Sequence, residues 1–201
     1  MVVYILYCSA ELEGVEKLVL NKDSVNLCFS VRNPQDHAQI REKIVVETEI
    51  LHKTAVSGKE KHRDESLHHF GMKWDHGDSA RCTLRVLGAN SVLDEEMDLD
   101  QNYALKQHKN KKLVTSEQEK ALAQIKEAMK SEDSGQLVPL LALDCQGMEP
   151  YAFHPMGEEF TVVGVSGGKV YENVDLSDGD WSDYELSTGS VSVTKFQSKF
   201  Q

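Results

Sequence analysis

The stretch that decides the fold is Leu143-Asp144-Cys145-Gln146-Gly147-Met148-Glu149-Pro150, which we call the signature segment. It ends the apolar run LVPLLALDC, and the runs FTVVGVSGG, KVYENVDL and SVSVTKF follow it. Their β-branched residues and partial alternation favour strands. Ser166-Gly167-Gly168-Lys169 lies between two valine-rich runs, which predicts a tight hairpin turn. No helical crossover separates these runs, so we expect antiparallel sheet.

Upstream of the signature segment the chain gives weaker signals of the same kind. Short β-like runs cover residues 2–7, 24–31, 43–51 and 80–87. Residues 56–79 are polar and without a sustained period, which predicts a long mobile loop. Residues 116–131 carry a Ser-x-x-Glu capping box and a narrow apolar stripe, which predicts one α-helix.

The charge and the cysteines narrow the possible partners and compartments. The chain has 201 residues, with 22 basic and 33 acidic side chains and a net charge of −11. That charge repels nucleic acid and anionic membranes, so we expect neither as a partner. Four scattered cysteines and an opening without basic residues predict reduced thiols and a cytoplasmic protein.

The signature segment belongs to a longer pattern. Val174-Asp175-Leu176 and Asp180-Trp181-Ser182-Asp183-Tyr184 follow it, and the pattern closes on Val191-Ser192-Val193 and Phe196. In this order the residues resemble the eukaryotic CXXC-motif-containing zinc-binding proteins, a family without an assigned function. The resemblance covers about the last 60 residues well and implies an all-β fold of antiparallel sheets.

The resemblance also implies a structural zinc ion held by two CXXC pairs. Aligned with the family, the first pair falls on Asn33-Pro34-Gln35-Asp36 and the second on Cys82-Thr83-Leu84-Arg85. Cys82 is then the only ligand position that keeps its thiol, and one thiolate does not hold zinc. We therefore expect no zinc or other cofactor, and two loops held by hydrogen bonds and packing.

A rebuilt metal site is one alternative. It would draw on His68, His69, His76 and Cys82, although this spacing is unlike known zinc-binding pairs. The acidic run at 175–185 does not fit an EF-hand calcium loop, although weak calcium binding by its clustered carboxylates is a further alternative. The resemblance implies instead that Trp181 and Tyr184 pack, while Asp178, Asp180 and Asp183 cap turns or face water.

A hydrolase-like enzyme is the second alternative, with Cys145 as nucleophile and His154 as base. The chain shows no other catalytic motif, so neither residue is assigned a catalytic role.

The sequence as a whole predicts a mainly β protein of antiparallel sheets, sandwich-like, with one inserted α-helix near 116–131. It is either one compact domain or an N-terminal β lobe (1–112, with the loop 56–79), a helical insertion (113–135) and a C-terminal β lobe (136–201). The predicted function is a non-enzymatic binding or adaptor module for a protein partner, without zinc.

Overall fold

The computed structural model describes residues 2–23, 25–53, 67–75, 81–90, 92–93, 116–165, 168–186 and 189–201. Within them it has sixteen strands, one α-helix (α1, Ser116–Leu122) and one 3₁₀ turn (Ser131–Asp133). In chain order the strands are β1 (Val2–Glu13), β2 (Val15–Leu20), β3 (Asn26–Arg32), β4 (Ile40–Glu47), β5 (Ile50–Lys53), β6 (Leu67–His68), β7 (Phe70–Met72), β8 (Cys82–Val86), β9 (Val92–Leu93), β10 (Met129–Lys130), β11 (Val138–Gln146), β12 (Glu149–His154), β13 (Phe160–Gly164), β14 (Val170–Val174), β15 (Trp181–Glu185) and β16 (Gly189–Phe200).

The largest sheet is built around β1 and has the strand order β15-β16-β1-β11-β8-β7. β1 pairs antiparallel with β11, where Leu6 lies opposite Leu141, and with β16, where Leu6 lies opposite Phe200. Leu6, Cys8 and Ala10 of β1 are buried, which is the two-residue period of a strand with one face in the core. The signature segment therefore ends a central strand of this sheet.

Three smaller sheets pack around the same core. Their strand orders are β10-β2-β13-β14, β12-β3-β4 and β6-β5-β9. Pairing is antiparallel except between β5 and β9, where Ile50 lies beside Val92 in a short parallel pair. One cluster of buried apolar side chains contains residues from Leu6 to Val193. The predicted mainly β fold of antiparallel sheets with one helix is confirmed.

The helix is shorter than predicted. α1 ends at Leu122, and the chain then turns and enters β10, where Met129 pairs with Leu18 of β2. Met129 fits the apolar stripe of a helix as well as the buried face of a sheet, and backbone pairing with β2 favours the sheet. Among the described residues no helix is long and apolar enough to cross a bilayer.

The predicted loop at 56–79 is wrong for the part that the structure describes. Residues 67–75 contain β6 and β7, and His68, His69 and Trp74 are buried there. The sequence did not indicate this packing, because the histidines make the segment polar in composition although the fold buries them. The other residues of that prediction lie outside the described ranges. The division into lobes stays a prediction.

Candidate functional site: a hydrogen-bonded loop on the signature segment

The loop at residues 33–39 joins β3 to β4 and is closed by its own hydrogen bonds. The Asn33 N–H donates to the Gln39 carbonyl at 2.9 Å, and the Gln39 N–H donates to the Asp36 carbonyl at 2.9 Å. Asn33 Oδ1 accepts the Gln35 N–H at 2.9 Å, and its Nδ2 donates to Gln39 Oε1 at 2.8 Å. Asp36 Oδ1 accepts the Ala38 N–H at 3.1 Å. The side chains at both aligned ligand positions thus stabilise the turn directly. The expectation that hydrogen bonds hold this loop is confirmed.

The segment that lies against this loop is 73–75. The Gln39 side chain donates to Asp75 Oδ2 at 3.5 Å, and Arg41 donates to the Trp74 carbonyl at 3.1 Å. The Arg41 guanidinium also lies 5.7 Å from the centre of the Trp74 ring, a cation–π distance. These contacts tie the loop and the start of β4 to the turn that follows β7.

The other aligned pair, Cys82-Thr83-Leu84-Arg85, does not form a loop. It lies in β8, between β11 and β7 of the large sheet, with Cys82 buried. A Cβ added to Gly147 would come 2.8 Å from Cys82 Sγ, so the thiol packs beneath the signature segment. The assignment of Cys82 as a former ligand position stays a prediction.

The signature segment contacts both loop segments. The Trp74 indole N–H donates to the Gly147 carbonyl at 2.8 Å. Two residues later, Glu149 forms a hydrogen-bonded ion pair with Arg32, the last residue of β3. The hydrogen bond from Arg32 lowers the pKa of Glu149. Residues 147–149 therefore contact both the base of the loop, through Arg32, and the facing segment, through Trp74.

The residues at this loop do not fit a structural zinc ion. Structural zinc sites use four thiolate or imidazole ligands, whereas Asn33 supplies a neutral amide and Asp36 a carboxylate already bonded to Ala38. Within the described residues, no group of three His, Cys, Asp or Glu side chains is arranged to hold a metal ion. The chemistry of the loop is that of a hydrogen-bonded turn.

Two histidines of the predicted rebuilt site, His68 and His69, are buried in the structure. His76 lies outside the described residues. His69 is buried beside β8, and its Nδ1 accepts the Val86 N–H at 2.9 Å, so this lone pair is used in the fold. Burial, with Arg85 and then His52 and His68 as further causes, lowers the pKa of His69 to about 4. The His68 ring lies 6.1 Å from that of His52, between ring centres.

The structure places Cys145 and His154 in different sheets. Cys145 lies in β11 opposite Leu84 and is fully buried, and this burial raises the pKa of its thiol. His154 lies in β12, and its Nε2 is 2.7 Å from Ser30 Oγ. The sequence did not reveal this Ser–His contact, because β12 was not predicted; the spacing of Pro150, Ala152 and His154 was the available signal.

The acidic run acts mainly through its backbone contacts. Asp180 accepts the Lys195 N–H at 2.7 Å, in line with the expected capping role, and Asp175, which that expectation did not name, accepts the Ser177 N–H at 2.9 Å. Trp181 packs edge-on against Tyr171, with ring centres 5.0 Å apart. Tyr184 is 67% exposed, so the prediction that it packs is wrong. It lies in β15, an edge strand of the large sheet, next to the exposed Ser182 and Asp183.

The chain is similar in sequence to known proteins. The family model described as "CXXC motif containing zinc binding protein, eukaryotic" matches residues 5–201. UPF0587 protein CG4646 of Drosophila melanogaster is 35% identical over 71 residues, which cover 35% of this chain and 43% of that protein. The CXXC motif containing zinc binding protein of Rattus norvegicus is 33% identical over 58 residues, 29% of this chain and 36% of that protein. The chain thus spans less than half the length of the curated relatives it matches.

Two solved structures share the fold along the whole chain. A hypothetical protein from Plasmodium falciparum superposes with a TM-score of 0.68 at 18% identity and covers 100% of both chains. C1orf123 superposes with a TM-score of 0.68 at 15% identity and covers 100% of this chain and 99% of its own. At these identities the likeness is one of fold alone.

Proposed function

Because the chain belongs to the eukaryotic family of CXXC motif containing zinc binding proteins, we propose that it is a zinc-free, non-enzymatic module that binds a protein partner. The observation that carries the proposal is the loop at 33–39, where Asn33 and Asp36 bond to the loop's own amides. A loop closed in this way keeps its shape without an ion and presents residues 34–38, all exposed, on the surface.

The buried thiols support a binding role over catalysis. A nucleophilic cysteine needs a lowered pKa and an open approach. Burial instead raises the pKa of Cys145 and raises that of Cys8 to about 12. All four cysteines are buried thiols outside any disulfide, which supports a reducing compartment, and we place the protein in the cytoplasm.

The first test is the metal content of protein purified without a histidine tag. We expect well below one equivalent of zinc by mass spectrometry, and the same unfolding midpoint with and without a chelator. A stoichiometric zinc ion, or a midpoint that falls when the chelator is added, would refute the zinc-free proposal.

The second test addresses the partner. Ala38→Glu alters the exposed loop while leaving its backbone hydrogen bonds, and Ala123→Glu makes the same change at an exposed position after α1. In quantitative capture from cytosolic extract, we expect a protein that the wild type and Ala123→Glu retain and that Ala38→Glu loses. Equal capture by all three would remove the loop from the proposal.

A further inference from the structure

A cleft of about 380 Å³ opens near the end of β12. Its walls come from β4, the end of β12, the turn between β14 and β15, and β16. Its lining combines three apolar side chains with polar ones, namely Phe153, Leu176 and Phe196 with Lys43, His154 and Asp178. The loop at 33–39 does not line it, so the cleft is distinct from the site described above.

His154 is held in a defined orientation. Ser30 Oγ accepts the Lys43 N–H at 3.2 Å and lies 2.7 Å from His154 Nε2. When the hydroxyl donates its proton to Nε2, the ring carries its own proton on Nδ1. In that tautomer, Nδ1–H is the donor that His154 offers to a ligand in the cleft.

Lys43 lines the same cleft as His154 and lies in β4, which is separated from β12 by β3. It has a φ of 53°, an uncommon conformation for a residue with a side chain, at a point where the β3–β4 register shifts. Such irregularities redirect side chains and often lie at functional sites. Within the described part of the chain Lys43 forms no ion pair, so its ammonium is available to an anion.

The opposite wall is fixed before any ligand arrives. The Gly179 N–H donates to the Leu176 carbonyl at 3.0 Å, and the Phe196 N–H donates to the Gly179 carbonyl at 2.8 Å. The Asp180 cap on the Lys195 N–H anchors the same turn to β16. A pre-formed wall lowers the ordering cost of binding.

We propose that this cleft binds a carboxylate that carries a short apolar group. Lys43 and His154 Nδ1–H converge as two donors for the carboxylate, and the apolar group lies against Phe153, Leu176 and Phe196. Asp178 at the rim repels a second negative charge, so a monocarboxylate is preferred. This site goes beyond the proposed partner-binding loop and does not depend on it.

The test is a titration of the full chain with N-acetyl-leucine, followed by ¹H–¹⁵N NMR. We expect saturable shifts of the amides of Lys43, His154, Gly179 and Phe196. N-acetyl-leucinamide, which has the same body without the carboxylate, should bind at least about tenfold more weakly, as expected for the loss of a charge-assisted hydrogen bond. Equal binding of acid and amide, or no saturable shift, would overturn the proposal.

Two variants of opposite sign sharpen the test. Lys43→Gln should weaken binding about tenfold, while Asp178→Asn should tighten it by removing a repulsive charge. Lys17→Gln, an exposed charge in β2, is the control and should leave the affinity unchanged. If Lys43→Gln fails to fold, Lys43→Asn replaces it, because asparagine tolerates the same backbone. If neither Lys43→Gln nor Asp178→Asn changes the affinity, the proposal is contradicted.

A third ligand distinguishes between a protein C-terminus and a small acid as the source of the carboxylate. A pentapeptide that ends in a free leucine carboxylate is compared with N-acetyl-leucine. Tighter binding of the peptide assigns the cleft to protein chain ends, and equal binding assigns it to small acids. Both results support the carboxylate site, whereas binding of the peptide only through its other residues, unchanged by C-terminal amidation, argues against it.

Discussion

Acidification should destabilise the fold through His69. This imidazole is 4% exposed, and its Nδ1 accepts the Val86 N–H, so the neutral ring with its proton on Nε2 is the form that fits. Protonation of Nδ1 would break that bond and place a charge near Arg85, which itself lies in β8. The folded chain therefore resists taking up this proton.

The size of the effect follows from the two pKa values. The pKa of His69 is about 4 in the folded chain against 6.5 ordinarily, and burial is the largest cause. Because the folded value is the lower one, the unfolded chain binds the proton first as the pH falls, and stability is lost between about pH 6.5 and pH 4. The full loss is about 3 kcal/mol, of which about 2 kcal/mol falls between pH 7 and pH 5.

The assay is urea unfolding at pH 7 and pH 5 of the wild type and of His69→Asn. Asparagine keeps an acceptor near the position of Nδ1 but does not titrate, so the free-energy difference between the two proteins should change by about 2 kcal/mol between these pH values. His37→Asn, at a side chain that is 62% exposed, is the control and should follow the wild type. Parallel pH profiles of the wild type and His69→Asn would refute the reasoning. If His69→Asn does not fold, an NMR titration of the wild-type ring gives the answer, since a midpoint near 6.5 would also refute it.

Three further predictions follow from contacts of single residues. Asn33→Ala should lower the free energy of unfolding by about 1 kcal/mol, because it removes the acceptor of the Gln35 N–H, whereas Gln35→Ala should change it little in the same urea assay. Glu159 is fully buried and accepts three consecutive backbone N–H groups, so Glu159→Gln should cost about 2 kcal/mol and the exposed Glu158→Gln almost nothing by thermal unfolding; equal effects would contradict this. The buried Cys145 thiol should react with a disulfide reagent only as fast as the chain unfolds, and rapid labelling of the folded protein would show that the thiol is accessible.

The strands of the last third were predictable because each carries a pattern that only one structure fits. The alternating run SVSVTKF lies in β16 and the apolar run LVPLLALDC lies in β11, although the ends of these strands differ from the ends of the runs. β15 escaped prediction because its residues are acidic and mostly exposed, as suits an edge strand. The helix was predicted too long because Met129 fits both the period of a helix and the two-residue period of a strand. Only its pairing with Leu18 decides between the two.

The candidate sites were less predictable, since they depend on register. Sequence alignment marked Asn33 and Asp36, and the loop there is as expected. It could not show that Trp74 would face that loop, because the contact between Arg41 and Trp74 joins residues 33 positions apart in the sequence. Likewise, Lys43 and His154 line one cleft from strands on either side of β3, and Lys43 lies where the register between β3 and β4 shifts.

A comparison of energies shows that the turn's own hydrogen bonds are not all that holds the loop. A structural zinc ion contributes on the order of 10 kcal/mol to a small domain, while each hydrogen bond of an Asn or Asp turn contributes about 1 kcal/mol. The turn bonds alone are therefore no substitute for an ion. The loop is also stabilised by the fold around it. Its ends continue into the paired strands β3 and β4, Glu149 forms an ion pair with Arg32, and the Gly147 carbonyl accepts the indole N–H of the facing Trp74. The signature segment supplies both of these last contacts, so the fold itself holds the loop in place.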